Sequence, residues 1–380
     1  MKTIRIAVIF FLLPYALGSS ATMSGRDRID IVMCLDLSAS TNGLIDDVRE
    51  KLWDIINEVN SYRPAPALRI GIVAFSRPSF GTKNGYVKVL HSLSNDFDHL
   101  AFELYKIRPV IEKGDQLVGE ALKVSVKRMN WSEDPSALKI IYLAGNGLVT
   151  LGGSDYRDAC ETAVERNIIV HTLYCRTRNN VNRELPGWRE IARISNGEQY
   201  DIRIHKRPPL ILAPDPEDRI NQLAQQLNAT YIYYGNDGAA RFRMMKSVDA
   251  YAKMANPMAF QSRLFHKISD RYQLHQASWD LVDHLKMTNT DFEDVDMELL
   301  HDSLKFSTRN KLMEVVYHAK DERVRVIHEL RKFLPHSRQS IIKSKYEKKG
   351  IDKADILERV VINTLDQAAG TKGFTTIRSN

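Results

Sequence analysis

The segment IDIVMCLDLSAST, residues 29–41, joins a mostly apolar run to three side chains that carry oxygen. The run from Ile29 to Leu35 is apolar on both sides, which predicts a central strand of a parallel sheet with both faces covered. Asp36, Ser38 and Ser40 then follow at alternate positions. Ligands of open α/β sheets bind at the carboxyl ends of strands, which is where Asp36 falls.

One carboxylate and two hydroxyls from a single loop are hard oxygen donors. They suit Mg²⁺, Mn²⁺ or Ca²⁺ better than zinc. A second interpretation stays open at this point, in which Asp36, Ser38 and Ser40 cap the helix that begins near Gly43 and satisfy amides of their own loop.

Strand-like and helix-like segments alternate from this loop to about residue 204. Predicted helices cover residues 43–59, 97–107, 117–129, 156–166 and 187–194, and predicted strands cover 68–75, 86–90, 138–143, 167–174 and 198–204. This alternation predicts an α/β fold with a doubly wound, mostly parallel sheet. The segment 86–90 alternates like an edge strand.

The pattern becomes mainly helical after a proline-rich boundary at residues 205–216. We therefore predict an α/β domain over residues 25–206 and a mainly α-helical C-terminal region over residues 207–380. Helices are predicted at residues 217–227, 259–285, 307–333 and 353–369, with Ser307 as an N-cap, Pro335 as a stop and Gly370 as a C-terminal cap. Trp279 and the aromatic run Tyr231–Tyr234 are predicted to pack between the two domains.

Residues 1–21 have the pattern of a cleaved secretory signal peptide. Lys2 and Arg5 precede an apolar stretch, and Ser19 and Ala21 form a small-x-small cleavage pattern. An uncleaved anchor is the alternative. We therefore expect a secreted or periplasmic protein.

The chain is mildly basic, with 54 Lys and Arg against 47 Asp and Glu. The excess is concentrated in residues 303–353, where solvated helix faces are the first interpretation and an anionic envelope surface the second. Nucleic acid is not an expected partner outside the cytoplasm.

Three cysteines are too few for a disulfide scaffold. Cys34 lies inside the first predicted strand and is expected to be a small buried apolar residue. Cys160 and Cys175 are predicted at the same edge of the sheet, so a disulfide between them stays open.

Catalytic signatures are missing from the sequence, and we expect no enzyme. His328 and Glu329 begin an H-E-x-x-H pattern, but Lys332 stands where the second histidine is needed. A nucleophile elbow, a P-loop and a cysteine–histidine signature are also lacking.

The sequence Asp36-Leu-Ser38-Ala-Ser40 after a buried strand, with the strand and helix order that follows, resembles the von Willebrand factor type A (VWA) domain. The resemblance covers about residues 27–204. The segments Asn228–Gly235 and Ser278–Asp283 are similar to the helical extension of bacterial secreted proteins that carry such a domain.

The resemblance implies a metal-ion-dependent adhesion site (MIDAS). In the family, the first loop supplies an aspartate and two serines, which here are Asp36, Ser38 and Ser40. A second loop usually supplies a threonine, where this chain has Gln116 with Asp115 beside it. A third loop usually supplies an aspartate, where this chain has Asn146. The metal set is thus Asp36, Ser38, Ser40, Asp115, Gln116 and Asn146, for Mg²⁺ or else Mn²⁺ or Ca²⁺. One carboxylate has become an amide, and Asp115 restores the charge only if its loop points inward.

The resemblance also implies a function. We expect a secreted or periplasmic binding module that engages a protein partner, whose carboxylate completes the coordination of the cation. The alternative is a metal-independent scaffold of the cell envelope that acts through its basic helical half. The oligomeric state is open.

Overall fold

The computed structural model describes residues 27–108, 112–176, 181–202, 204, 216–347 and 357–376. The predicted signal peptide and almost all of the predicted boundary at 205–216 lie outside these residues.

One sheet of six strands forms the centre of the N-terminal half. Its strands are β1 (Arg28–Asp36), β2 (Ala67–Phe75), β3 (Lys88–Ser94), β4 (Leu138–Gly145), β5 (Ile168–Cys175) and β6 (Gln199–Ile202). Their order across the sheet is β3-β2-β1-β4-β5-β6. The edge strand β3 is antiparallel to β2, and all other neighbours are parallel. The predicted doubly wound, mostly parallel fold is confirmed, with β1 at its centre.

Two helical layers cover this sheet. The helices of this half are α1 (Leu44–Asn60), α2 (Phe97–Lys106), α3 (Val118–Lys127), α4 (Tyr156–Glu165) and α5 (Val181–Ile194). Ile31 and Leu35 of β1 face a core shared with α1 and α2, while Val32 and Cys34 face a core shared with α3, α4 and α5. Because successive strand residues point to opposite faces, one apolar strand supplies both cores.

The second half of the chain is helical, as predicted. Its helices are α6 (Pro216–Ala229), α7 (Gly238–Ala255), α8 (Pro257–Lys267), α9 (Asp270–Gln276), α10 (Leu281–Thr288), α11 (Asp302–Lys305), α12 (Arg309–Glu347) and α13 (Leu357–Thr371). The helix α7 was not predicted, because few of its side chains are buried and one of these, Asp249, is charged, which interrupts the apolar pattern in the sequence.

The single helix predicted at residues 259–285 is wrong, since α8, α9 and α10 replace it. The breaks fall at Ser269 and Asp280, which act as N-caps. The side chain of Ser269 accepts a hydrogen bond from the amide of Tyr272, and that of Asp280 accepts one from the amide of Asp283.

The predicted ends of the last two helices are also wrong. Helix α12 begins after Thr308, whose hydroxyl accepts a hydrogen bond from the Lys311 amide, and it continues through Pro335. Pro335 is exposed, so water can solvate the carbonyl that lacks an amide partner. Helix α13 runs past Gly370, and Gly373, with φ of 89°, takes the left-handed position after it.

Helix α13 packs on the α/β sheet instead of on the other C-terminal helices. Leu357 and Leu365 belong to the same core as α1 and β1. The hydroxyls of Tyr142 in β4 and Thr364 lie 2.8 Å apart. The chain thus leaves the α/β half and returns to it at its C-terminal end.

A buried group of charges joins the α/β half to α7 and α8. Arg263 is fully buried, with its guanidinium 2.6 Å from Asp98 of α2 and 3.0 Å from Asp249 of α7. Lys267 lies 2.7 Å from the same Asp249. Each buried cation therefore has a carboxylate partner, as burial of charge requires.

The aromatic side chains of the C-terminal region pack inside that region. The rings of Tyr231 and Trp279 stack with centroids 5.6 Å apart, and both belong to a core built from α6, α7, α8 and α12. The predicted packing of these residues between the two domains is therefore wrong.

All three cysteines are buried with free thiols, so Cys160 and Cys175 form no disulfide. None of the described helices combines the length and the apolar character needed to cross a membrane.

Candidate metal site

The first loop of the site begins at Asp36, the fully buried last residue of β1. Its Oδ1 accepts a hydrogen bond of 2.8 Å from the amide of Ser38, and its Oδ2 accepts one of 3.3 Å from the amide of Asn146. A Cβ on Gly145 would lie 2.5 Å from the Cβ of Asp36. Glycine at 145 therefore lets the third loop reach this carboxylate.

Burial raises the pKa of Asp36 to about 6, although hydrogen bonds from Ser76, Ser38 and Asn146 act in the opposite direction. The shift means that the charged form of this carboxylate lacks the stabilisation it would have in water. A cation beside it would supply that stabilisation.

The two serines of the loop are hydrogen-bonded to each other, with 2.9 Å between their hydroxyl oxygens. Thr41, which the sequence analysis missed, braces them. Its hydroxyl lies 3.3 Å from that of Ser38 and 2.9 Å from the carbonyl oxygen of Asp36. The signal was present, because Thr41 is a further hydroxyl directly after the motif.

The alternative in which these side chains cap α1 is not supported. The N-cap of α1 is Gly43, with φ of 113°, and no side chain caps it. The short 3₁₀ turn Ala39–Thr41 has Ser38 as its N-cap without a side-chain hydrogen bond. Asp36 does satisfy a loop amide, but the serine hydroxyls face the second and third loops.

The third loop brings Asn146 to the serines. Its Oδ1 accepts a hydrogen bond of 2.8 Å from the hydroxyl of Ser40, and its Nδ2 donates to the carbonyl of Cys175 at 3.2 Å. The second bond fixes which way the amide faces, since only a nitrogen can donate to that carbonyl.

Two buried residues of α5 hold this loop, and sequence reasoning missed both. A carboxylate oxygen of Glu184 accepts hydrogen bonds from the amide of Gly147 at 3.0 Å and from the hydroxyl of Tyr174 at 2.9 Å. Trp188 donates from Nε1 to the carbonyl of Gly147 at 2.9 Å. Their spacing of four residues on one helix face was the available signal.

The second loop contributes Gln116. Its Nε2 lies 3.0 Å from Oγ of Ser38, 2.8 Å from Oγ of Ser40 and 2.8 Å from Oδ1 of Asn146. A Cβ on Gly147 would lie 2.5 Å from Oε1 of Gln116, so glycine at 147 makes room for this side chain. Gln116 therefore bridges the first and third loops.

Asp115 stands apart from the other five predicted residues. It is exposed, and its side chain takes no part in the hydrogen bonds that join them. Of the six predicted residues, Asp36 is consequently the one carboxylate that these hydrogen bonds include. Among the described residues, no group of three or more His, Cys, Asp or Glu side chains is placed to hold a metal.

The oxygens of the site fit a small divalent cation. Ser38 Oγ and Ser40 Oγ are 2.9 Å apart, and Ser40 Oγ and Asn146 Oδ1 are 2.8 Å apart. Neighbouring ligands of an octahedral Mg²⁺ with bonds of 2.0–2.1 Å are about 2.9 Å apart. Hydroxyl and amide oxygens are also ligand types that Mg²⁺ and Ca²⁺ accept. These three oxygens could therefore share one ion.

The antiparallel edge strand, the position of β1 and the three polar loops at the carboxyl edge define the class of the N-terminal half. It is a VWA-like domain, and the recognition made from the sequence is confirmed at the level of the fold.

No protein-family model matches the sequence, and no curated protein matches it. Solved structures similar to this chain include an aerotolerance-related membrane protein from Bacteroides fragilis, with 16% identity over 46% of this chain and 90% of that chain at a TM-score of 0.32. A von Willebrand factor type A protein from Catenulispora acidiphila has 16% identity over 47% of this chain and 39% of that chain, at 0.34.

Proximal thread matrix protein 1 from the mussel byssus, with a zinc-occupied MIDAS motif, has 15% identity over 46% of this chain and 41% of that chain. Its TM-score is 0.35. This chain thus spans less than half the length of two of the three proteins. Because these TM-scores are low, the class of the domain depends on its own strand order and loops.

Proposed function

We propose that the protein is a secreted or periplasmic binding module, and not an enzyme, whose VWA-like half engages a protein partner through the three loops at the carboxyl edge of the sheet. One observation carries this proposal. Residues predicted from the sequence, from three separate loops, are joined there by hydrogen bonds. The side chains of Ser38, Ser40, Gln116 and Asn146 bond to one another, and the carboxylate of Asp36 accepts the backbone amides of Ser38 and Asn146. Sheet edges of this kind are where open α/β folds bind ligands.

A divalent cation is part of the proposal, with Mg²⁺ first and Mn²⁺ or Ca²⁺ as alternatives. Ser38, Ser40 and Asn146 would hold it, with Asp36 behind them as the compensating charge. When bound, the ion supplies a localised positive charge at the protein surface. Since Asp36 is the one carboxylate among the five joined residues, a doubly charged ion leaves an excess of positive charge on this set, which favours an acidic group of the partner as a further ligand.

The test is capture of extracellular proteins of the source organism on the immobilised full chain, with Mg²⁺ or with a chelator. We expect a bound protein that is released by the chelator and absent on Ser40→Ala. Ser247→Ala is the matched control, because Ser247 donates only to a carbonyl of its own helix. Capture that survives both the chelator and Ser40→Ala would contradict the proposal. It would favour the metal-independent scaffold that acts through the basic helical half, including contact with an anionic envelope surface.

A further inference from the structure

We infer that Gln116 is a built-in competitor of the cation, so that the site binds a divalent ion only when this side chain turns outward. The inference depends on the proposed function, because it concerns the regulation of the same site. The orientation of the Gln116 side chain would then determine whether the edge is closed and metal-free or open and able to bind the ion.

The first argument is the position of one nitrogen atom. Nε2 of Gln116 lies 2.8–3.0 Å from all three oxygens that would hold the ion. Ligand oxygens lie 2.0–2.6 Å from Mg²⁺ or Ca²⁺. An ion bound by these oxygens would therefore occupy the space of this nitrogen, and the two cannot be present together.

The second argument is the number of protons. A side-chain amide has two N–H groups, whereas three oxygens face the nitrogen. Because hydrogen bonds are directional, Nε2 cannot donate fully to Ser38, Ser40 and Asn146 at the same time. A spherical ion has no such limit. The surroundings of Nε2 thus suit a cation better than the amide they now hold.

The third argument concerns the freedom of the side chain to leave. Gln116 is only partly buried, and its hydrogen bond to Ser40 lies at the exposed side of the cluster. The amide of Gln116 lies against Gly147, where a side chain would fill the space that the amide occupies. Gln116 can rotate toward solvent without moving the first loop, the third loop or β1.

The cost of leaving sets the expected size of the effect. About two net hydrogen bonds are lost when Nε2 leaves, which corresponds to roughly 10-fold to 100-fold in affinity for the ion. A variant whose side chain at position 116 cannot reach the three oxygens should therefore bind the ion more tightly by that factor.

Calorimetry with Mn²⁺ and Mg²⁺ on the full chain tests the inference. We expect Gln116→Thr and Gln116→Ala each to bind the ion roughly 10-fold to 100-fold more tightly than the natural protein. We expect the gain to vanish when Ser40→Ala is added to Gln116→Thr. Gln199→Thr is the matched control, since Gln199 lies in β6 and bonds to Asp201. Thermal unfolding without metal shows whether each variant is folded. If Gln116→Thr is not folded, the ion affinity of Gln116→Ala tests the inference alone.

The outcomes separate the inference from the proposed function. Equal affinities of the natural protein and both Gln116 variants would overturn the inference and leave the cation site standing. Absence of binding in every variant would overturn both the inference and the proposed cation.

Discussion

Nε2 of Gln116 lies 2.8 Å from Oδ1 of Asn146, although the two residues come from loops 30 positions apart in the sequence. At both positions the chain departs from the VWA pattern, and the two departures complement each other. A hydroxyl and a carboxylate at these positions would both be oxygen ligands for an ion between the loops. Here the amide nitrogen of Gln116 instead donates a hydrogen bond to the amide oxygen of Asn146 and joins the two loops directly.

Gly147→Ala is expected to destabilise the protein by about 1–2 kcal/mol, because residue 147 has φ of 97° and a left-handed backbone is costly for alanine. The added Cβ would also meet Oε1 of Gln116 at 2.5 Å. Urea unfolding measures the loss. Gly153→Ala is the control, since nothing lies within 4 Å of its Cβ position. Equal losses in the two variants would contradict the prediction.

Asp249→Asn is expected to lower the free energy of unfolding by about 3–5 kcal/mol, because it removes one partner from a buried group of charges. Lys267 would lose its carboxylate, and Arg263 would keep only Asp98. Denaturant unfolding is the measurement. The matched control is Asp302→Asn, whose side chain is 94% exposed in its pair with Lys305. It should change stability by less than about 1 kcal/mol. A comparably small change for Asp249→Asn would contradict the prediction.

His171 is expected to make the protein less stable in acid. Burial lowers its pKa from 6.5 to about 4, and its ring stacks on Tyr142 while Nδ1 accepts the amide of Glu198. Between pH 6.5 and pH 4 the unfolded chain takes up a proton at this ring that the folded protein does not. The free energy of unfolding therefore falls as the pH falls, by about 3 kcal/mol in total.

His171→Gln removes this titration while its side-chain oxygen can still accept the Glu198 amide. Stability of the two proteins, measured by urea unfolding between pH 4 and pH 7, should converge toward low pH. Parallel curves over that range would show that His171 does not titrate with a lowered pKa.

Thiol titration is expected to find three reactive cysteines in denaturant without a reductant, because Cys34, Cys160 and Cys175 are free. The native protein should react slowly, since all three are buried and burial raises the pKa of each thiol. Mass spectrometry after alkylation gives the count. One reactive cysteine instead of three would mean that Cys160 and Cys175 are bonded after all.

Most of the α/β half could be predicted because its signals are local and repeated. The segments of β1, β2, β4 and β5 are mostly apolar, as is typical of strands covered on both faces. The motif that begins at Asp36 placed the first loop at the carboxyl edge. The orientation of Gln116 could not be predicted, because it depends on Asn146, which is itself turned by the carbonyl of Cys175.

The C-terminal helices were harder to predict because tertiary contacts override local signals there. A proline normally ends a helix, but Pro335 is exposed, and the helix is held by buried Leu330 and Leu334 before the proline and by buried Ser337 after it. Ser269 and Asp280 interrupt an amphipathic pattern that reads as one helix. No local feature of the sequence indicates that α13 packs on the sheet.

The return of α13 to the sheet has a consequence for synthesis. Its apolar side chains fill the same core as β1 and α1, and Thr375 pairs with Arg63 through two backbone hydrogen bonds. While the chain is still emerging from the ribosome, the strands are complete but this part of their surface has no cover. The α/β half is thus synthesised first but is among the last parts to finish folding. A chaperone that shields apolar surface would bind where α13 later packs.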